Sequence, residues 1–266
     1  MRPAQTWVYK KRTAGGVKVV QAFSITDIGK RRKLNQDYVF VSVSPIGALP
    51  NLFIVADGMG GHNAGDYASK YTVEMIERQI RESELREPVS ILDEAICRAN
   101  DYIRSMARED IHLSGMGTTV VAATLEQAGL QVANVGDSRL YIANEKEIRQ
   151  ITRDHSLVEE MVRMGGIDRV TARSHPDRNI ITRAIGALDT VEADFFQVDL
   201  YPGDIILLCS DGLTNMLEDE EIRRIVTGTG SLSEKGKQLV CAANDNGGRD
   251  NIAVILINPF ADQDEE

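Results

Sequence analysis

The sequence predicts an α+β protein in which helices, arranged in consecutive pairs, cover antiparallel sheets. Three observations support this class: strand-like segments occur towards both ends of the chain, helical periodicities come in pairs, and several strands are joined by turns of only a few residues. A parallel crossover needs about a dozen or more residues, so turns this short indicate antiparallel pairing. Since no linker, repeat or low-complexity segment interrupts the chain, we expect one domain over residues 1–261 and an acidic tail at 262–266.

The first half of the chain contains three predicted strands followed by two predicted helices. β-branched and aromatic residues, bounded by glycine, proline or aspartate, indicate strands at 17–25, 38–43 and 52–57. Apolar residues at helical spacing then predict helices from about 63 to 80 and from 90 to 108.

The second half begins with three short strands, at 115–125, 130–135 and 140–143, which we expect to pair with one another because only brief turns separate them. Residues 153–183 mix histidine, methionine, glycine and proline and are interpreted as a surface insertion with one helix at 156–164. The remaining predicted elements are strands at 191–200, 205–209 and 252–257 and helices at 218–227 and 233–244.

Composition limits the class of partner. The net charge of −10 disfavours a nucleic-acid backbone, and no polybasic segment or run of about 20 apolar residues indicates a membrane partner. Residues 1–11 lack the apolar core of a signal peptide. Cys97, Cys209 and Cys241 form no CxxC pair, and we expect all three to be reduced core residues. These features predict a cytoplasmic protein.

Three aspartates occur in similar settings. Asp57 and Asp211 end apolar strands and precede glycine, and Asp250 lies between a Gly-Gly turn and a strand. One such aspartate is ordinarily a turn or helix-cap residue, but three at strand ends can meet at one edge of a sheet. Grouped carboxylates repel one another unless cations lie between them. Oxygen ligands favour Mg²⁺ or Mn²⁺ over Zn²⁺.

The glycine-rich segment after Asp57 also suggests a dinucleotide-binding turn. From Gly58 the sequence runs G-M-G-G-H-N, so Asn63 stands where the third glycine is required. Asp57 would moreover place a negative charge beside a pyrophosphate. We therefore disfavour this alternative.

The chain resembles a bacterial metal-dependent protein phosphatase of type 2C, over about residues 21–257. The resemblance is carried by seven segments in order: Gly29-xx-Arg32-xx-Asn35-Gln36-Asp37, Ala56-Asp57-Gly58-Met59-Gly60-Gly61-His62, Gly117-Thr118-Thr119, Val135-Gly136-Asp137-Ser138-Arg139, Asp154-His155-Ser156, Ser210-Asp211-Gly212-Leu213 and Gly248-Arg249-Asp250-Asn251. It implies a β-sandwich of two antiparallel sheets flanked by α-helices in four layers, α-β-β-α. It also implies hydrolysis of phosphoserine and phosphothreonine on proteins by a metal-activated water at a binuclear centre.

By this resemblance, Asp57 bridges two Mn²⁺ or Mg²⁺ ions. Asp211 and Asp250 complete the first site, and the backbone carbonyl of Gly58 serves the second. Asp37 holds metal-bound waters, which gives it a catalytic as well as a metal-binding role. Two divalent ions about 3.5–4 Å apart can activate water for attack on phosphorus.

The resemblance implies four further roles. Asp137, with Asp211, forms a third and weaker metal site. Arg32 binds the substrate phosphate, for which its planar fork is suited. Residues 153–183 form a flap beside the cleft. His62 is either the general acid for the leaving oxygen or a loop-fixing residue, and the sequence leaves both open.

Two residues depart from the family pattern, and one basic cluster lies beside Arg32. Gln36 and Met59 depart from relatives, which often carry glutamate and histidine there, and the neutral amide of Gln36 would stabilise water at the second metal site less than a carboxylate does. Lys30, Arg31 and Lys33 are interpreted as a solvated basic loop, with substrate steering as the alternative.

The expected partners are phosphoprotein substrates and the Ser/Thr kinase that phosphorylates them, and we expect a monomer. Two alternative functions remain open: a catalytically silent relative that binds phosphoproteins, and a phosphoesterase that acts on small molecules.

Overall fold

The computed structural model describes residues 4–13, 16–61, 64–126 and 129–261, apart from the side chains of residues 9–19. The elements in these residues, in chain order, are β1 (Gln5–Thr13), β2 (Gly16–Asp27), β3 (Asp37–Ser42), β4 (Leu52–Met59), α1 (Ala64–Glu82), α2 (Pro88–Glu109), a short 3₁₀ helix (Ile111–Leu113), β5 (Gly117–Thr118), β6 (Val120–Glu126), β7 (Gly129–Val135), β8 (Arg139–Ala143), β9 (Ile148–Gln150), α3 (Leu157–Arg163), α4 (Arg169–Ser174), β10 (Asp194–Val198), β11 (Ile205–Cys209), α5 (Asp211–Thr214), α6 (Asp219–Thr227), α7 (Leu232–Asp245) and β12 (Ile252–Ala261).

The strands form two antiparallel sheets. The first has the order β1-β2-β12-β11-β8-β9, and the second has the order β10-β7-β6-β4-β3, with β5 paired to β4. Helices α1 and α2 pack on the outer face of the second sheet, and α5, α6 and α7 pack on the outer face of the first. The predicted α+β class with helix-covered antiparallel sheets is confirmed.

The strand sequences explain this layering. In β4, Phe53 and Val55 face the other sheet, while Ile54 and Ala56 face the helices. Successive side chains of a strand point to opposite faces, so a strand buried on both sides must be apolar at every position. Full burial of each large apolar side chain contributes about 1.5–3 kcal/mol, so the central strands anchor the sandwich.

One pairing prediction was wrong. Strands β6 and β7 pair as expected, but β8 pairs with β11 and β9 in the other sheet. The turn between β7 and β8 carries the chain across the sandwich, and Gly136 has a φ of 108° there, which favours glycine. Because β7 and β8 both have apolar residues at successive positions, the alternation of polar and apolar residues does not indicate which sheet each strand joins.

The cysteine prediction was correct only in part. Cys209 is buried in β11, whereas Cys97 and Cys241 are exposed on α2 and α7. Both exposed cysteines lie beside the buried stripes of their amphipathic helices, so apolar neighbours in sequence did not indicate burial. Within the described ranges, no helix has the length and apolar character needed to cross a bilayer.

Candidate metal centre

Two of the predicted site carboxylates face each other on adjacent strands. Asp37 begins β3 and is the antiparallel partner of Asp57 in β4. The amide of Asp57 donates to Thr119 Oγ1 at 3.0 Å, and its carbonyl accepts from the Thr118 hydroxyl at 2.8 Å. Burial, reinforced by neighbouring acidic charges, raises the pKa of Asp37 to about 8 and that of Asp57 well above its ordinary value. The pairing of β3 with β4 therefore brings two repelling carboxyl groups together.

The first sheet contributes two more carboxylates at the same end of the sandwich. Asp211 follows β11 and begins α5, and Asp250 lies just before β12, the antiparallel neighbour of β11. Burial raises the pKa of Asp211 to about 6, and the charge of Asp250 adds to the rise. Arg32 Nη2 donates to Asp250 Oδ2 at 2.6 Å. The predicted phosphate-binding guanidinium thus lies in the site, paired with one of the predicted ligands.

Ser210 joins the two sheets at this point, and its role was missed in the sequence. Its hydroxyl donates to Asp37 Oδ2 at 2.7 Å and accepts from the amide of Ala253 at 2.9 Å. Ser210 is fully buried, so both bonds are shielded from water. The Ser-Asp-Gly segment was a signal for Asp211, but it did not reveal that the preceding hydroxyl orients a carboxylate from the other sheet.

Asn251 is a second residue whose role was missed. Its Nδ2 donates to the carbonyls of Ile28 at 2.9 Å and Leu34 at 3.0 Å, and its Oδ1 accepts from the amide of Gln36 at 2.8 Å. One buried amide therefore holds both ends of the loop that carries Arg32, directly beside Asp250.

Gly58 is required by close packing. A Cβ at this position would lie 2.0 Å from the carbonyl oxygen of Gly65 in α1 and 2.8 Å from the carbonyl oxygen of Gln36. The Gly58 amide also donates to that Gln36 oxygen at 3.1 Å. Only glycine allows the start of α1 and the loop before β3 to approach β4 this closely.

The residues on both sides of Asp137 are bonded to the first residues of the 153–183 segment. The His155 amide donates to the Gly136 carbonyl at 2.9 Å, and the Gly136 amide donates to His155 Nδ1 at 3.1 Å. On the other side, Arg139 donates to Asp154 from Nε at 2.9 Å and from Nη2 at 2.6 Å. Burial and the charge of Asp211 raise the pKa of Asp137 well above its ordinary value. Asp137 and Asp211 line one cavity of about 360 Å³ between this segment and the sandwich.

The donor set fits hard divalent cations. Asp37 Oδ1 and Asp211 Oδ1 are buried and have no hydrogen-bond partner in the described structure. Oxygen donors of this kind suit Mg²⁺ or Mn²⁺. Among the residues described, no three His, Cys, Asp or Glu side chains converge into a finished ligand set.

Comparison with known proteins identifies the family. The family model described as protein phosphatase 2C matches residues 29–256, which is most of the chain. The chain belongs to the protein phosphatase 2C family. This confirms the resemblance drawn from the seven sequence segments.

Individual relatives agree with this assignment. This 2C-family chain is 42% identical over 238 residues to the serine/threonine phosphatase Stp of Listeria innocua, covering 87% of this chain and 93% of the relative. It is 40% identical over 240 residues to the protein phosphatase PhpP of Streptococcus pneumoniae, covering 88% and 95%. The crystal structure of serine/threonine phosphatase Stp1 from Staphylococcus aureus superposes with a TM-score of 0.83 at 37% identity, covering 89% and 93%.

A further solved relative bears on the metal. The catalytic domain of the phosphatase PstP, described in complex with two manganese ions, superposes with a TM-score of 0.80 at 30% identity, covering 91% of this chain and 98% of that one. Dependence on a divalent metal is therefore the expected chemistry of this 2C-family phosphatase. His62 lies outside the described residues, so its predicted role stays a prediction.

Proposed function

We propose that this chain is a protein serine/threonine phosphatase that hydrolyses phosphoserine and phosphothreonine with the help of divalent metal ions. The observation that carries the proposal is the meeting of Asp37 and Asp57 from one sheet with Asp211 and Asp250 from the other, beside Arg32. Carboxylates this close raise one another's pKa, and divalent cations between them would relieve the repulsion and keep them ionised. Family membership and the names of the relatives support the same reaction.

The residues that would hold the ions are those that the family resemblance implies, and their position at one end of the sandwich supports this assignment. Asp57, Asp211, Asp250 and the carbonyl of Gly58 would bind a pair of Mn²⁺ or Mg²⁺ ions, and Asp37 would hold their waters. Ions bound there supply positive charge that lowers the pKa of water and neutralises a phosphate dianion. Asp137 and Asp211 would hold a third ion beside the 153–183 segment, which we propose acts as a flap over the cavity.

Side chains of the protein would orient the substrate phosphate and the Asp37 carboxyl group. Arg32 has five N–H donors in a planar fork, and its contact with Asp250 uses only Nη2. Other donors of the guanidinium remain for phosphate oxygens, which places the phosphorus beside the carboxylates. Ser210 fixes the carboxyl of Asp37 by donating to Oδ2, so its other oxygen keeps one direction. The leaving oxygen would take its proton from water or from His62.

A direct assay tests the proposal. Purified protein should hydrolyse a phosphothreonine peptide in millimolar Mn²⁺ and lose this activity in excess EDTA. A silent phosphoprotein-binding relative would bind the peptide but release no phosphate, even from p-nitrophenyl phosphate. A small-molecule phosphoesterase would prefer a sugar phosphate to the peptide. The Asp211→Asn variant is the matched control, because it removes one charge from the site and keeps the shape of the side chain.

We also propose that the protein works as a cytoplasmic monomer, opposing a Ser/Thr kinase. The acidic net charge of −10 supports the absence of a nucleic-acid partner. Size-exclusion chromatography coupled to light scattering tests the oligomeric state, and a stable dimer would contradict the proposal of a monomer.

A further inference from the structure

A cluster of exposed cations borders Arg32. Lys30, Arg31 and Lys33 lie in the same loop as Arg32, and Arg249 immediately precedes Asp250. We call Lys30, Arg31, Lys33 and Arg249 the basic rim. The whole chain carries a net charge of −10, so the rim is a local reversal of sign at the edge of the candidate centre.

The two segments of the basic rim are packed against each other. The amides of Lys30 and Arg31 donate to the carbonyl of Gly248 at 2.7 and 3.2 Å. Gly29 has a φ of 77°, and a Cβ there would lie 2.2 Å from the carbonyl oxygen of Asp250. With the Asn251 bonds to both ends of the loop, these contacts fix the backbone that presents the cations. Little conformational entropy of the loop would then be lost when a ligand binds.

The charges of the basic rim are largely available. Lys30 lies 3.4 Å from Asp245, but their side chains are 54% and 71% exposed, so this pair contributes little. In the described structure, Arg31, Lys33 and Arg249 have no carboxylate partner and make no side-chain hydrogen bond. Elsewhere, exposed arginines such as Arg78 and Arg81 pair with glutamates one helical turn away. Arg31, Lys33 and Arg249 thus present charge that no carboxylate of the described structure neutralises.

Screening by salt limits the distance over which charges on the protein attract a substrate. The Debye length is about 8 Å at physiological ionic strength, so the distant acidic surface is largely screened while cations next to the bound phosphate are not. An extended peptide advances about 3.3 Å per residue. With the phosphate at Arg32, a distance of one Debye length therefore corresponds to side chains within about two or three residues of the phosphorylated one.

We propose that the basic rim binds aspartate and glutamate side chains that flank the phosphorylated residue, and so selects acidic phosphoprotein segments. This specificity rests on the proposed phosphatase function. Charged rims of this kind act mainly on association, so the preference appears in kcat/KM and weakens with salt.

The test compares two phosphothreonine peptides that differ only in carrying four flanking glutamates or four glutamines. We expect the unmodified protein to prefer the acidic peptide in kcat/KM, and the preference to disappear between about 50 and 500 mM NaCl. The Arg31→Gln/Lys33→Gln variant should reduce the ratio of the two kcat/KM values by about three- to tenfold. Both side chains are exposed, so their replacement leaves the core intact.

The control variant removes two positive charges at a position away from the basic rim. Arg78 and Arg81 lie near the end of α1, about 20 Å along the helix from its first residue, Ala64, which lies at the candidate centre's end of the helix. The Arg78→Gln/Arg81→Gln variant should keep the peptide preference. An equal loss of preference in this control, or an unchanged ratio in the rim variant, would overturn the proposal.

A binding measurement separates this inference from the proposed function. Fluorescence anisotropy of the labelled, unphosphorylated acidic peptide, in EDTA, reports the basic rim without any hydrolysis. If the peptide binds through the basic rim but no peptide releases phosphate, the proposed phosphatase function is refuted and the proposed role of the basic rim is supported. Hydrolysis with equal kcat/KM for the acidic and the neutral peptide would support the phosphatase function and refute the binding of acidic residues by the basic rim. Tighter rim-dependent binding of a single-stranded oligonucleotide or of anionic vesicles would also overturn the assignment of an acidic polypeptide.

Discussion

The ion pair between Arg139 and Asp154 provides the sharpest test of how the 153–183 segment is attached. Arg139 donates to both carboxylate oxygens of Asp154, and Gln150 donates to Oδ1 at 2.8 Å. Their side chains are only 22% and 11% exposed. The remaining Arg139 nitrogen, Nη1, donates to the Tyr141 hydroxyl at 2.9 Å, so the whole guanidinium is used inside the protein. Replacing Asp154 with asparagine keeps the shape but leaves this cation uncompensated.

The expected cost follows from the burial of the pair. Removing one partner of a buried ion pair costs about 3–5 kcal/mol, because the other charge stays desolvated. Asparagine keeps one acceptor oxygen, so we expect the lower end, about 3 kcal/mol. For a domain of this size, that corresponds to a fall in melting temperature of about 6–12 °C.

The assay is urea or thermal unfolding in EDTA, which removes any contribution from bound metal. The control is Glu82→Gln, which breaks an exposed pair with Arg78 and should cost less than about 0.5 kcal/mol. If Asp154→Asn lowers the free energy of unfolding by no more than this control does, the Arg139–Asp154 pair does not stabilise the fold as proposed. The variant should also lose phosphatase activity, because Arg139 and Gly136 hold the turn that presents Asp137.

Three further predictions concern the candidate centre. Mn²⁺ at about 100 times its Kd should stabilise the protein by about 2.7 kcal/mol per site, and differential scanning fluorimetry should detect this in the unmodified protein and a much smaller shift in Asp211→Asn. Gly58→Ala should abolish activity and lower the melting temperature, because its methyl group meets the Gly65 carbonyl at 2.0 Å; a fully active variant would contradict this packing. Arg32→Ala should raise KM more than it lowers kcat, and Arg32→Lys should rescue it poorly because an ammonium lacks the planar fork; a loss confined to kcat would contradict phosphate binding.

The parts of this structure that could be predicted from sequence are those with local causes. The apolar run before Asp211 indicated correctly that it follows a strand, whereas β4 continues two residues beyond Asp57, to Met59. Strand character was also clear for 205–209 and 252–257, since every residue there is compatible with burial on both faces. The same property hid the strand order, and β8 was assigned to the wrong neighbours for that reason.

The parts that could not be predicted depend on contacts between distant residues. Ser210 bonds to Asp37 across 173 positions of sequence, and Asn251 bonds to Ile28 across 223. Neither residue has a local feature that distinguishes it from an ordinary serine or asparagine in a turn. Their roles exist only after the two sheets have packed together, so no periodicity or spacing indicates them.

The position of the centre between the sheets links its chemistry to its stability. Each sheet supplies carboxylates that repel those of the other, and Ser210 is the buried hydroxyl that joins Asp37 to the opposite sheet at this end. Neutralising those charges with cations therefore removes a repulsion that acts to separate the sheets. Metal binding should accordingly protect the backbone amides of Asp57, Ser210 and Ala253 from hydrogen exchange more strongly than those at the opposite end of the sandwich. Uniform protection along the strands would show instead that the ions stabilise the fold only by mass action.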